Sequence, residues 1–162
     1  MADLARLLAT HAGAGRVVWI GLRPERLADP VSVDAAELTE AGLAGDHARE
    51  GKRALTLIQA EHLPVIAALC RREAVAPELL RRNLVIKGIN LGALRHARLR
   101  IGGAEVTITS PCAPCSRMEA ALGQGGYNAM RGHGGWCAEV VQAGRIAVGD
   151  PVTATGAEAP RR

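Results

Sequence analysis

Apolar residues in this chain fall mostly in short β-branched runs separated by glycine and proline. Arg16–Leu22 (RVVWIGL) is introduced by Gly15 and stopped by Pro24, and it predicts the first strand. A short second strand is expected around Val31 and Val33. Between Glu40 and Lys52 the chain becomes AGLAGDHAREGK, a glycine-punctuated stretch too polar to pack and too long for a hairpin turn, which predicts a functional loop. Ala54–Ile58 then predicts a strand. After it, Leu63, Ile66, Ala67 and Cys70 recur at helical spacing, so a helix should begin near Ala60 or Glu61, with Pro64 in its first turn and Cys70 on its apolar face.

Beyond that helix, Pro77–Arg82 is expected as a short helical piece, followed by the strand Leu84–Lys87 and the loop Gly88–Asn90. Strands at Ala97–Ile101 and Ala104–Thr109 should form a hairpin through Gly102 and Gly103. Ser116-Arg117-Met118-Glu119 has the form of a helix capping box. Gly123–Gly135 reads as irregular, and three short strands follow at Cys137–Val141, Arg145–Val148 and Val152–Ala154. Many short strands beside one substantial helix predict a mainly β (α+β) fold, a barrel or folded-over sheet with peripheral helices. We expect a single domain with one core over residues 1–155 and a disordered tail over 156–162.

Composition narrows the function. No apolar run approaches the roughly 20 residues of a membrane span, so no membrane role is expected. The start of the chain has no secretory pattern, which makes the cytoplasm the expected address. The four cysteines (Cys70, Cys112, Cys115 and Cys137) would stay reduced there, pointing to catalysis or metal binding. The net charge of +4 rests on arginine, since Lys52 and Lys87 are the only lysines, and it suits a phosphate-bearing ligand. With no Phe, one Tyr and two Trp, the chain lacks the stacking platforms that nucleic acid recognition favours.

The sharpest motif is Pro111-Cys112-Ala113-Pro114-Cys115-Ser116, between a strand and a helix start. Unpaired N–H groups there favour a thiolate and Arg117 adds a cation, so Cys115 is the better nucleophile or metal ligand of the pair. Two buried structural thiols are the plain alternative. Structural zinc is another, with His133 and Cys137 completing a set with Cys112 and Cys115, although no second paired motif fixes that geometry. Arg81-Arg82-Asn83 enters a strand and can grip phosphate and order a heterocycle. Gly42–His47 ends in the acceptor Asp46 and the titratable ring of His47, and is read equally well as a surface turn.

Six blocks in order resemble the MOSC family, named for the C-terminal domain of molybdenum-cofactor sulfurases. They are GLAGDH (42–47), RALTLIQAEHL (53–63), RRNLVIKGINL (81–91), PCAPCSRME (111–119), GGYNAMRGHGG (125–135) and GRIAVGDPV (144–152). The resemblance implies a MOSC-type β-barrel and a link to molybdenum cofactor, or molybdopterin. It also implies Cys115 as the molybdenum ligand, with Arg81 and Asn83 holding the pterin and phosphate end. Relatives with proline between those two positions differ from this chain, which has Arg82. Neither the extra β-rich domain of the amidoxime reducers nor a cysteine-desulfurase domain is recognised here, so pyridoxal phosphate is not expected.

The expected site comprises Cys115 and Cys112 for chemistry, and Arg81, Asn83, Asp46, His47 and Arg117 for the cofactor. The expected function is an oxidoreductase acting on a small N-hydroxylated compound, or a carrier of the cofactor or its sulfur. As an enzyme it would need a separate electron-donor protein, since no iron–sulfur, haem or flavin motif is present. A non-catalytic binding module, with a structural zinc or a buried C-x-x-C, is the competing reading.

Overall fold

The computed structural model describes residues 3–155. The expected tail therefore lies outside the described residues. Among the described residues there are eleven strands: β1 Gly15–Leu22, β2 Val31–Val33, β3 Ala35–Thr39, β4 Gly42–Leu43, β5 Leu55–Gln59, β6 Leu84–Lys87, β7 Arg98–Ile101, β8 Ala104–Pro111, β9 Trp136–Gln142, β10 Gly144–Ala147 and β11 Pro151–Ala154. The larger sheet runs β11-β7-β8-β9-β5-β6-β1-β2. A further pairing of β1 with β11, Gly15 opposite Val152, closes seven strands into a barrel, with β2 appended to β1. Closure leaves those strands no free edge. A smaller sheet, β10-β3-β4, lies beside it.

Alternation along the strands fills the barrel. In β8, Ala104, Val106 and Ile108 are buried while Glu105 and Thr107 are half-buried. β5 and β6 pair in parallel and are buried on both faces, which explains their near-continuous apolar sequence. Leu57, Leu84 and Ile86 point into the barrel, whereas Ile58 and Val85 join a second cluster with Ile66, Leu80, Met118, Leu122 and Met130. The single expected core is thus two apolar layers sharing β5 and β6.

The described residues include five short helices, α1 Leu4–Ala9, α2 His62–Leu69, α3 Pro77–Leu80, α4 Ser116–Leu122 and α5 Gly126–Met130, of which α2 to α5 contribute to the outer layer. A 3-10 turn, Leu91–Leu94, follows the loop after β6. Helix α1 buries none of its residues, which is why no core-facing period announced it. In α2, Ile66 and Ala67 are buried, and Cys70 caps the C-terminus half-buried against the same cluster. α3 stops one turn after Pro77 because Arg81 adopts a left-handed conformation (φ 59°), shortening the expected Pro77–Arg82 helix.

Three further expectations are corrected. The loop from Glu40 contains β4, whose Leu43 pairs with Leu38 of the unforeseen β3. The glycine-rich stretch includes α5. The capping box does not form: Cys115 occupies the N-cap position without a side-chain bond, and Glu119 reaches forward to accept from the Gly125 and Tyr127 amides at 2.7 and 2.9 Å. Gly125 has no side chain with which to cap α5, so the carboxylate takes those orphan N–H groups. Among the described residues, no helix is long and apolar enough to cross a membrane.

Candidate functional site

The site begins where β6 starts. Asn83 is fully buried. Its Oδ1 accepts from the Thr56 amide and hydroxyl, both at 3.1 Å, and its Nδ2 donates to the Gly21 carbonyl at 3.1 Å and to Asp46 Oδ1 at 3.0 Å. One amide thereby locks β5, β1 and the loop after β4 together. Asp46, whose side chain is also fully buried, accepts a two-pronged guanidinium contact from Arg23 at 3.1 and 2.9 Å. Burial works against ionisation of Asp46, but the Arg23 hydrogen bonds and charge outweigh it and hold the carboxyl below its usual range.

Arg82 is buried without a carboxylate. Its guanidinium donates to the carbonyls of Gly134 (2.8 Å), Leu80 (2.8 Å) and Cys112 (3.3 Å), tying the β6 start to the segments before β9 and α4. Gly135, next to that anchor, has φ +88° and leaves no room for a Cβ against the Leu57 carbonyl, so glycine is required there. Arg81 turns the other way and donates to the carbonyls of Ala28 and Arg26. Burial, then the charges of Arg117 and Arg23, disfavour its cationic form, so an anion beside it would be welcome.

These residues border a cleft of about 380 Å³. Arg81, Arg117, Cys112, Cys115 and His47 line it, together with Arg23, Arg49, Arg53 and Arg82. Cys115 is exposed, at the start of α4. His47 places Nδ1 2.9 Å from the Arg23 carbonyl, which leaves Nε2 as the nitrogen without that contact. Cys112 is buried, and the thiol that acts on it is that of Cys137, not Cys115. The buried pair ionises once: the Cys112 thiol, with Arg53 and Arg82 assisting, draws Cys137 down to about 6, while Cys112 retains the other proton and is pushed well up.

The model of the MOSC domain matches residues 40–153. The chain belongs to the MOSC domain family. Solved structures with the same fold include the YUAD protein from Bacillus subtilis, at 16% identity and TM-score 0.75, covering 86% of this chain and 94% of that one. YiiM from Escherichia coli follows at 23% identity and TM-score 0.70 (88% and 70% covered), and YiiM from Geobacillus stearothermophilus at 17% and 0.74 (88% and 75% covered). No curated protein matches the chain.

Within this MOSC barrel, the fold brings five sequence-predicted residues, Cys112, Cys115, Arg81, His47 and Arg117, to one cleft. Asp46 and Asn83 sit beneath it, with their polar atoms committed to neighbours. Sequence reasoning missed Arg23, Arg49 and Arg53. The last two lie in or beside motif blocks and are separated from Arg81 by β5 and two helices, so only strand pairing unites them. The zinc set is not assembled: among the described residues no group of three or more His, Cys, Asp or Glu side chains is placed to hold a metal ion. His133 instead packs edge-on against His62, ring centroids 5.4 Å apart.

Proposed function

We propose that the cleft binds molybdenum cofactor and that the protein reduces a small N-hydroxylated compound with electrons from a separate donor protein in the cytoplasm. The observation that supports this reading is the pairing, in one cleft, of an exposed soft donor, Cys115, with a concentration of guanidinium groups. A ligand with a soft metal at one end and a phosphate at the other needs both. The volume is in the range of small-molecule sites, so the residues present fit the group.

In this reading Cys115 supplies the thiolate ligand to molybdenum. Arg81 and Arg117 would hold the phosphate, and Arg49 and Arg53, which line the same cleft, would add positive charge around the cofactor. His47 offers Nε2 as a proton donor or acceptor beside the substrate. Asn83 and Asp46 act from beneath the cleft by fixing the β6 start and the His47 loop, and Arg23 joins that network while lining the cleft. When bound, the cofactor supplies the two-electron oxygen-atom chemistry that no side chain of this protein can perform.

The test is molybdenum content of untagged protein produced with the cofactor available, alongside reduction of N-hydroxylated test compounds. Near-stoichiometric molybdenum in the parent and its loss in Cys115→Ser, with the fold intact, is the expected result. Equal molybdenum in both proteins, or none in either, refutes the ligand assignment. Release of the cofactor to an apo-acceptor without turnover would favour a carrier.

A further inference from the structure

The sequence pairs Cys112 with Cys115 in a C-x-x-C motif, but the fold pairs it with Cys137. At the end of β8 the register sets Ser110 opposite Cys137 and Pro111 opposite Trp136, and the Cys112 amide donates to the Gly135 carbonyl at 2.9 Å. Ser110, Cys112 and Cys137 therefore point to the same face, with the two cysteines as diagonal neighbours. The ladder is irregular between Ile108 and Ser110, and such a bulge adds twist. The two thiols are near enough for each to shift the other's acidity, in keeping with that register.

The competing bridge is disfavoured by geometry. Residues 112–115 form neither turn nor bend, and Cys115 has extended φ and ψ of −120° and 173°. Three residues of extended chain span roughly 10 Å, beyond the roughly 7 Å between Cα atoms that a disulfide tolerates. Cys112 and Cys137 are 7% and 1% exposed, and only Cys112 borders the cleft. Arg49 and Arg53 are exposed on the same cleft.

We propose that Cys112 and Cys137 are a redox-active dithiol that reacts through the arginine-lined cleft with small anionic disulfides, closing a β8–β9 bridge and leaving Cys115 free. The Cys112 sulfur attacks one sulfur of R–S–S–R, with its proton passing to the neighbouring Cys137 thiolate, and RS⁻ leaves as the mixed disulfide forms. Cys137 then attacks the Cys112 sulfur, expels the second RS⁻ and gives its proton to solvent. Two protein thiols are oxidised by two electrons and one disulfide is reduced to two thiols. The guanidinium groups raise the local concentration of an anionic oxidant and steer it inward.

The experiment treats the full, reduced chain with dithiodipropionate, with uncharged bis(hydroxyethyl) disulfide or with cationic cystamine, quenches in N-ethylmaleimide and maps peptides without reduction. The expected product links Cys112 to Cys137, carries maleimide on Cys115, and forms unchanged in Cys115→Ser. Relative to each reagent's rate with free cysteine, the anionic disulfide should react about tenfold faster than the neutral one at low salt, and Arg53→Gln or high salt should erase the preference. A Cys112–Cys115 link, or adducts confined to Cys115, overturns the dithiol. A cross-link formed equally fast with all three reagents overturns the anionic substrate class. If Cys137→Ala fails to fold, the peptide map of Cys115→Ser still decides the question.

Discussion

The Asn83 side-chain amide donates to Asp46 Oδ1 at 3.0 Å, joining positions 37 residues apart in a part-buried contact. That bond sets the height of the His47 loop above the start of β6, and with it one wall of the cleft. Replacing Asn83 by Ala orphans the Thr56 amide and one Asp46 acceptor position. The expected cost is about 3 kcal/mol, read as a lower urea midpoint at unchanged slope. A loss under about 0.5 kcal/mol would mean that the amide is dispensable.

Asp46 also predicts an acid limb to stability. Its folded carboxyl binds a proton less readily than in the unfolded chain, where the ordinary value is 3.8. The unfolded state therefore takes up more protons below that value. The stabilisation is complete above about pH 4 to 5 and is lost as pH falls through the folded value. Urea midpoints taken across this range should drop more steeply for the parent than for Asp46→Asn. Parallel curves would remove Asp46 from the acid response.

A second pH effect belongs to His62. Burial, then the neighbouring His133, lower its value from 6.5, with Glu61 opposing. Since the unfolded imidazole binds the proton more readily, stability should be full above about pH 6.5 and decline on acidification toward the folded value. His62→Gln should flatten this decline between neutrality and pH 5. Titration of the His62 ring by NMR at or above its ordinary value would contradict the prediction.

The two cysteines of the C-x-x-C motif should separate in stability as well as chemistry. Cys112 is buried, so Cys112→Ser places a more polar hydroxyl in the space of a thiol, at a cost of about 1–3 kcal/mol. Cys115 is exposed and makes no capping bond, so Cys115→Ser should stay within about 0.5 kcal/mol of the parent. Native thiol labelling should find Cys115 first. Equal destabilisation by the two substitutions would place both thiols in the core.

What the sequence determined by itself was local. Alternating apolar positions in Ala104–Thr109 and the glycine pair before them specify the β7–β8 hairpin, because side-chain direction has period two whatever the partner strand is. The same logic made β1, β6 and β9 to β11 legible, and motif order marked Arg81, Cys112, Cys115 and Arg117 as candidates. Helix α1 and the β3–β4 pair gave no such signal: the one buries nothing, and the other is two residues of a strand against five.

Only tertiary structure decided who meets whom. The antiparallel pairing of β1 with β6 and the parallel register of β5 with β6 bring Arg23, Arg53 and Arg82 to one cleft, and no spacing in the chain encodes those distances. The β8–β9 ladder likewise gave Cys112 to Cys137 instead of to its sequence neighbour, since a chain that runs on without turning carries Cys115 away, while an antiparallel partner returns Cys137 to the same face. Asn83 and Asp46 carry polar groups that can serve a ligand or the fold, and the tertiary structure buries both side chains and gives their polar atoms partners within the chain.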